Sequence, residues 1–79
     1  MEKILIILQQ IRPEFDFTNS QDFIQDGYLD SFDLVALVSN LEKEYHIKIK
    51  GVDIVPENFC NIVAIKNLLE KSGVKTDEI

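Results

Sequence analysis

Residues 26–45 read Asp26-Gly27-Tyr28-Leu29-Asp30-Ser31-Phe32-Asp33-Leu34-Val35-Ala36-Leu37-Val38-Ser39-Asn40-Leu41-Glu42-Lys43-Glu44-Tyr45. Asp26-Gly27 is a turn signal. Asp30-Ser31-Phe32-Asp33 is a helix start: either Asp30 or Ser31 can cap, and Asp33 suits the positive end of the helix dipole. Beyond it, Leu34, Leu37, Val38, Leu41 and Tyr45 recur at spacings of three and four, which predicts a helix with one face on a core.

Working outward, Ile4, Leu5, Leu8 and Ile11 also fall on one helical face. Pro13 disfavours helical geometry at Arg12, so that helix should end there. The connection from Pro13 to Asp30 is long, and Phe15, Phe17, Phe23 and Ile24 suggest that it packs onto the core, with a helical turn around Gln21 to Gln25. Downstream, Ile47 and Ile49 alternate with polar residues. With no second convincing strand to pair with, this reads as an extended connection. Pro56-Glu57-Asn58-Phe59 has Pro where a short helix tolerates it. Asn61 can cap a last helix carrying Ile62, Ile65, Leu68 and Leu69, which Ser72-Gly73 ends. The expected fold is all-α: a small four-helix bundle of three main helices plus one short one, with a long first loop. Residues 1–79 form one domain, and about 75–79 form a flexible tail.

Composition narrows the function. The chain has 79 residues, too few for a deep catalytic cavity walled by several layers of structure. Hydrophobic residues make up 46%, a globular value. Net charge is −6, from 14 acidic and 8 basic residues, which repels nucleic-acid phosphates and favours basic protein partners. The single cysteine, Cys60, forbids an internal disulfide and fits a reducing compartment. The N-terminal apolar run is too short for a signal peptide, and no segment is long enough to span a bilayer. A cytoplasmic monomer is expected, with no catalytic residues of its own, because no acid–base or nucleophile–base pair can be assembled.

At a helix N-terminus, unpaired backbone N–H groups and the dipole favour an attached phosphate. A serine there is exposed and reachable by another protein. On composition alone, Asp30 and Ser31 are more simply two caps. The stretch from Asp26 to Tyr45, however, resembles the phosphopantetheine attachment region of acyl carrier and peptidyl (aminoacyl) carrier proteins. In that family an Asp-Ser motif, here Asp30-Ser31 followed by Phe32, opens the second helix, whose end carries acidic residues and an aromatic, here Glu42, Glu44 and Tyr45. Pro56 to Phe59 falls where the family has its short third helix, so the resemblance covers nearly the whole chain.

The resemblance implies an acyl carrier protein-like fold and a specific chemistry. A phosphopantetheinyl transferase would move 4'-phosphopantetheine from coenzyme A onto Ser31. The arm's thiol would then carry an acyl or aminoacyl thioester, received from a loading enzyme and presented to downstream acyl-processing enzymes. Asp30, Phe32, Asp33, Leu34, Val35 and Glu42 are the residues expected to meet those partners. For Phe32 and Val35, plain core packing is an equal expectation. Ala36 and Lys43 stand where fatty acid carriers often have glutamates. Leu29 and Phe32, flanking the Asp-Ser pair, are closer to carriers of specialised pathways, including the D-alanyl type.

Other chemistry is weaker. Cys60 lacks a nearby His and reads as a small buried hydrophobe. His46 follows a helix end, where a partly charged imidazole is favourable. Asp26, Asp30 and Asp33 lack the ligand spacing of a calcium loop. The competing function is an unmodified helical protein–protein interaction domain, in which Ser31 is only a cap and Ser31→Ala costs about 1 kcal/mol.

Overall fold

Pro13 sets the first boundary. In the computed structural model, which describes residues 2–79, helix α1 runs Glu2–Ile11 and stops where the proline requires. Ile4, Ile7 and Leu8 are its buried residues, with Leu5 and Ile11 half-buried. Ile7 joins the core, because residues 4, 7, 8 and 11 make the tighter stripe.

Helix α2 spans Ser31–Tyr45 and helix α3 spans Ile62–Lys71. Single 3-10 turns at Phe17–Asn19, Gly51–Asp53, Pro56–Asn58 and Thr76–Glu78 lie in the connections and the tail. No strand occurs among the described residues, so the architecture is all-α. The short helix expected at Pro56 is one of these 3-10 turns. Phe59 N–H closes it onto the Pro56 carbonyl at 3.0 Å, and the Asn58 side chain ties it to the Asp53 carbonyl at 2.8 Å.

Helix α1 packs against both α2 and α3. Ile4 and Leu8, Leu37 and Leu41, Ile65 and Leu69 meet in one core, each fully buried. Burial of each such side chain stabilises the fold by about 1.5–3 kcal/mol.

The connection from α1 to α2 is a second packed layer. Phe17 and Phe23 are fully buried and meet edge to face at 5.0 Å, while Phe15 stacks on Tyr28 at 4.5 Å. The Phe23 N–H donates to the Cys60 carbonyl at 2.6 Å, and the Phe23 carbonyl accepts from Tyr28 and Leu29 at 2.8 and 3.1 Å. The turn expected at Gln21 to Gln25 lies slightly later, at 23–27, because the Asp22 carboxylate accepts the N–H groups of Ile24 and Gln25. Gly27, at φ 77°, supplies the left-handed residue that reverses the chain towards α2.

After α2, Ile47 and Ile49 lie in an extended segment, and Ile49 is buried. Asn61 caps α3 by accepting the Ala64 N–H at 2.8 Å, and Gly73 at φ 106° follows its last turn. Val74 is buried, Thr76–Glu78 forms a 3-10 turn, and Ile79 is half-buried against the core, because two apolar side chains give the segment a surface to cover.

Candidate functional site at the start of helix α2

Of the two possible caps, Asp30 does the work. Its Oδ1 accepts the N–H groups of Phe32 and Asp33, each at 3.0 Å. Asp33 Oδ2 accepts the Asp30 N–H in return, at 2.9 Å, completing a reciprocal capping box. Ser31 is the first helical residue and is exposed. Its hydroxyl is therefore not the capping group of α2 and stands at the positive end of a 15-residue helix.

Arg12, just beyond the end of α1, completes the arrangement. Its Nε donates to both Asp33 oxygens at 3.1 and 3.0 Å, Nη2 reaches Asp30 Oδ2 at 3.3 Å, and Nη1 reaches Glu14 Oε2 at 3.3 Å. The bond to Asp33, then that to Glu14, holds the Arg12 proton more firmly than in a free guanidinium. The Asp33 N–H, helped by the Phe32 N–H and the Arg12 charge, holds the Asp30 carboxyl below its ordinary range against partial desolvation.

The surface beside Ser31 is apolar. Phe32 is 83% exposed and Val35 68% exposed, one helical turn apart on the outer face of α2. Core packing for these two is thereby excluded. Two other residues expected to make contacts are buried. Asp33 is 9% exposed and Leu34 is 6% exposed, so neither presents a free side chain to a partner. Both lie on the inward stripe with Leu37, Val38 and Leu41, and Asp33 is held there by Arg12. Glu42 is half-buried, and its Oε2 accepts the Ile49 N–H at 2.8 Å, so this carboxylate anchors the chain leaving α2. Of the expected contact residues, Asp30, Phe32 and Val35 remain exposed around Ser31.

Elsewhere, Cys60 is half-buried and borders a shallow cavity of about 220 Å³ with Ile24 and Pro56. His46, exposed, ends α2 in the left-handed region at φ 53°. A cavity of about 620 Å³ is lined by Lys3, Tyr45, His46 and Ile79. It lies at the far end of α2, about 20 Å from Ser31 along the helix axis. Among the described residues no three His, Cys, Asp or Glu side chains group to hold a metal ion, and no helix is long and apolar enough to cross a membrane.

Arg12 is the site residue that sequence reasoning missed. It pairs with Asp33 across 21 positions of chain, and only its place beside Pro13 at the end of a helix hinted at a role.

No protein-family model, curated protein or solved structure matches this chain.

Proposed function

We propose that this chain is a carrier protein of the acyl or aminoacyl type, with 4'-phosphopantetheine joined to Ser31 Oγ. The observation that supports this reading most is the division of labour at the start of α2. Asp30 takes the cap, and Ser31 is left exposed at the helix N-terminus. A phosphodiester there would stand at the positive end of the helix, with its charge in solvent. The three α-helices, the long packed connection and the short turn at Pro56 suit an acyl carrier protein-like bundle in which the short third helix is reduced to one 3-10 turn.

Attachment forms the bond between Ser31 Oγ and the phosphorus and breaks the pyrophosphate of coenzyme A. The adenosine bisphosphate portion leaves with the electron pair. The transferase supplies the base that takes the serine proton, and this chain supplies the nucleophile and its surroundings. The arm then raises the local concentration of a thioester at each partner enzyme. Phe32 and Val35 give those partners an apolar contact beside the arm, and Asp30 gives them a charge. The sparse acidity of α2 beyond Asp30 favours a specialised pathway over fatty acid synthesis.

An unmodified interaction domain is the second reading, favoured by the same exposed Phe32 and Val35. Thiol titration separates the two. The chain has one cysteine, so incubation with coenzyme A and a broad-specificity phosphopantetheinyl transferase should raise the thiol count from one to two, and Ser31→Ala should hold it at one. A wild-type count that stays at one, with a working control carrier, selects the interaction domain.

A further inference from the structure

We infer that Arg12 is a positioning residue for the reaction at Ser31, acting through Asp30 and Asp33; this rests on the carrier reading. The two aspartates flank the serine and hold each other's backbone. Asp30 Oδ1 takes the N–H groups of Phe32 and Asp33, and Asp33 Oδ2 takes the Asp30 N–H. The peptide groups 29–30, 31–32 and 32–33 are thereby fixed, and the Asp30 carbonyl, in the peptide group just before Ser31, accepts the Leu34 N–H at 3.1 Å. The two carboxylate oxygens without a backbone partner in this box are Asp30 Oδ2 and Asp33 Oδ1. Arg12 binds both, at 3.3 and 3.1 Å.

The guanidinium is planar and forked, so it sets the angle of each carboxylate as well as its charge. Glu14, Asp30 and Asp33 would otherwise repel one another around the serine, and Arg12 is the cation bonded to all three. Because Arg12 follows α1 directly, the same contacts tie the end of that helix to the first turn of α2. Arg12 touches none of the reacting atoms. Its effect is on the direction in which Ser31 Oγ meets phosphorus, and a displacement of about 1 Å at such a position can slow transfer by about a hundredfold.

The test is the steady-state kinetics of phosphopantetheine transfer to the full chain, with wild type, Arg12→Gln, Arg12→Lys and Ile65→Val compared below the melting temperature of all four. Ile65 is fully buried in α3, remote in sequence from the site, and its truncation controls for lost stability. Arg12→Gln should lower kcat by about 10- to 100-fold with KM changed less than about threefold. Arg12→Lys should fall between, since it keeps the charge and loses the fork. Ile65→Val should match wild type. Unchanged kcat in Arg12→Gln, or an equal loss in Ile65→Val, overturns the role. Should Arg12→Gln fail to fold, a wild-type kcat in Arg12→Lys overturns it equally. Wild type that accepts no phosphopantetheine at all refutes the carrier reading itself, a result distinct from a transfer that is merely indifferent to Arg12.

Discussion

Phe23 tests whether the connection leading to Ser31 belongs to the core. Its ring is fully buried and meets Phe17 edge to face at 5.0 Å, and its backbone bonds Cys60 on one side and Tyr28 and Leu29 on the other. Phe23→Ala removes the ring and leaves a cavity, at a cost of about 3–5 kcal/mol. A chain of 79 residues has roughly 4–12 kcal/mol of total stability, so that variant should be largely unfolded or close to it. Phe23→Leu is the sharper probe. It keeps most of the volume but loses the aromatic pair, worth about 0.5–1.5 kcal/mol, and fits the site less well. A net loss of about 1–2 kcal/mol lowers Tm by roughly 5–15 °C in a domain of this size. Thermal unfolding followed by circular dichroism, with guanidinium unfolding as a second probe, reads both variants. A Phe23→Ala protein melting within about 2 °C of wild type would refute the reasoning, because the connection would then contribute nothing to the core.

Other outcomes follow from single contacts. Asn61→Ala removes the acceptor of the Ala64 N–H and should cost about 1 kcal/mol, measured by guanidinium unfolding with an unchanged m value. The Asp30 carboxyl is held below its ordinary value of 3.8, so the stability it contributes is present above that pH and is lost as pH falls through the lower folded value. Asp30→Asn should therefore show a shallower fall of Tm between about pH 5 and pH 3 than wild type; an identical fall would remove Asp30 from the acid transition. Phe32→Ala and Val35→Ala should each change stability by less than about 0.5 kcal/mol, since both side chains are exposed, while lowering kcat/KM for the transferase. Unaltered transfer by the double variant would show that this apolar pair is not part of the contact.

The helices were legible because their signals are local. Pro13 ended α1, Asp30 and Asn61 opened α2 and α3, and Gly73 followed the last turn, each through bonds or dihedral limits spanning a few residues. The residues themselves left Asp30 and Ser31 as equal candidates for the cap, and only the packed first turn assigns it to Asp30. What the residues did not reveal depends on distant partners. The bonds from Arg12 to Asp30 and Asp33 join chain segments 18 and 21 positions apart. The packing of Ile79 depends on a surface built by the rest of the fold. Asp33 is the instructive case. Its charge pointed to the surface, yet it stands four residues before Leu37 and eight before Leu41, on the stripe that faces inward. That periodicity could have placed it, given a cation to meet. At Pro56, local signals supported a helical turn, but the segment closes after a single 3-10 turn because the Asn58 side chain bonds back to Asp53.

The central claim is that Ser31 Oγ is the attachment point, and mass measurement at the level of the peptide tests it most directly. Wild type and Ser31→Ala would be incubated with coenzyme A and the transferase, digested, and the fragment containing Ser31 sequenced by tandem mass spectrometry. Asp30 remains as the cap in the variant, so both proteins should stay folded. The account predicts a gain of one phosphopantetheine located on Ser31 in wild type and no gain anywhere in Ser31→Ala. An unmodified wild type beside a fully modified control carrier, or a modification that persists at another residue in Ser31→Ala, would contradict it.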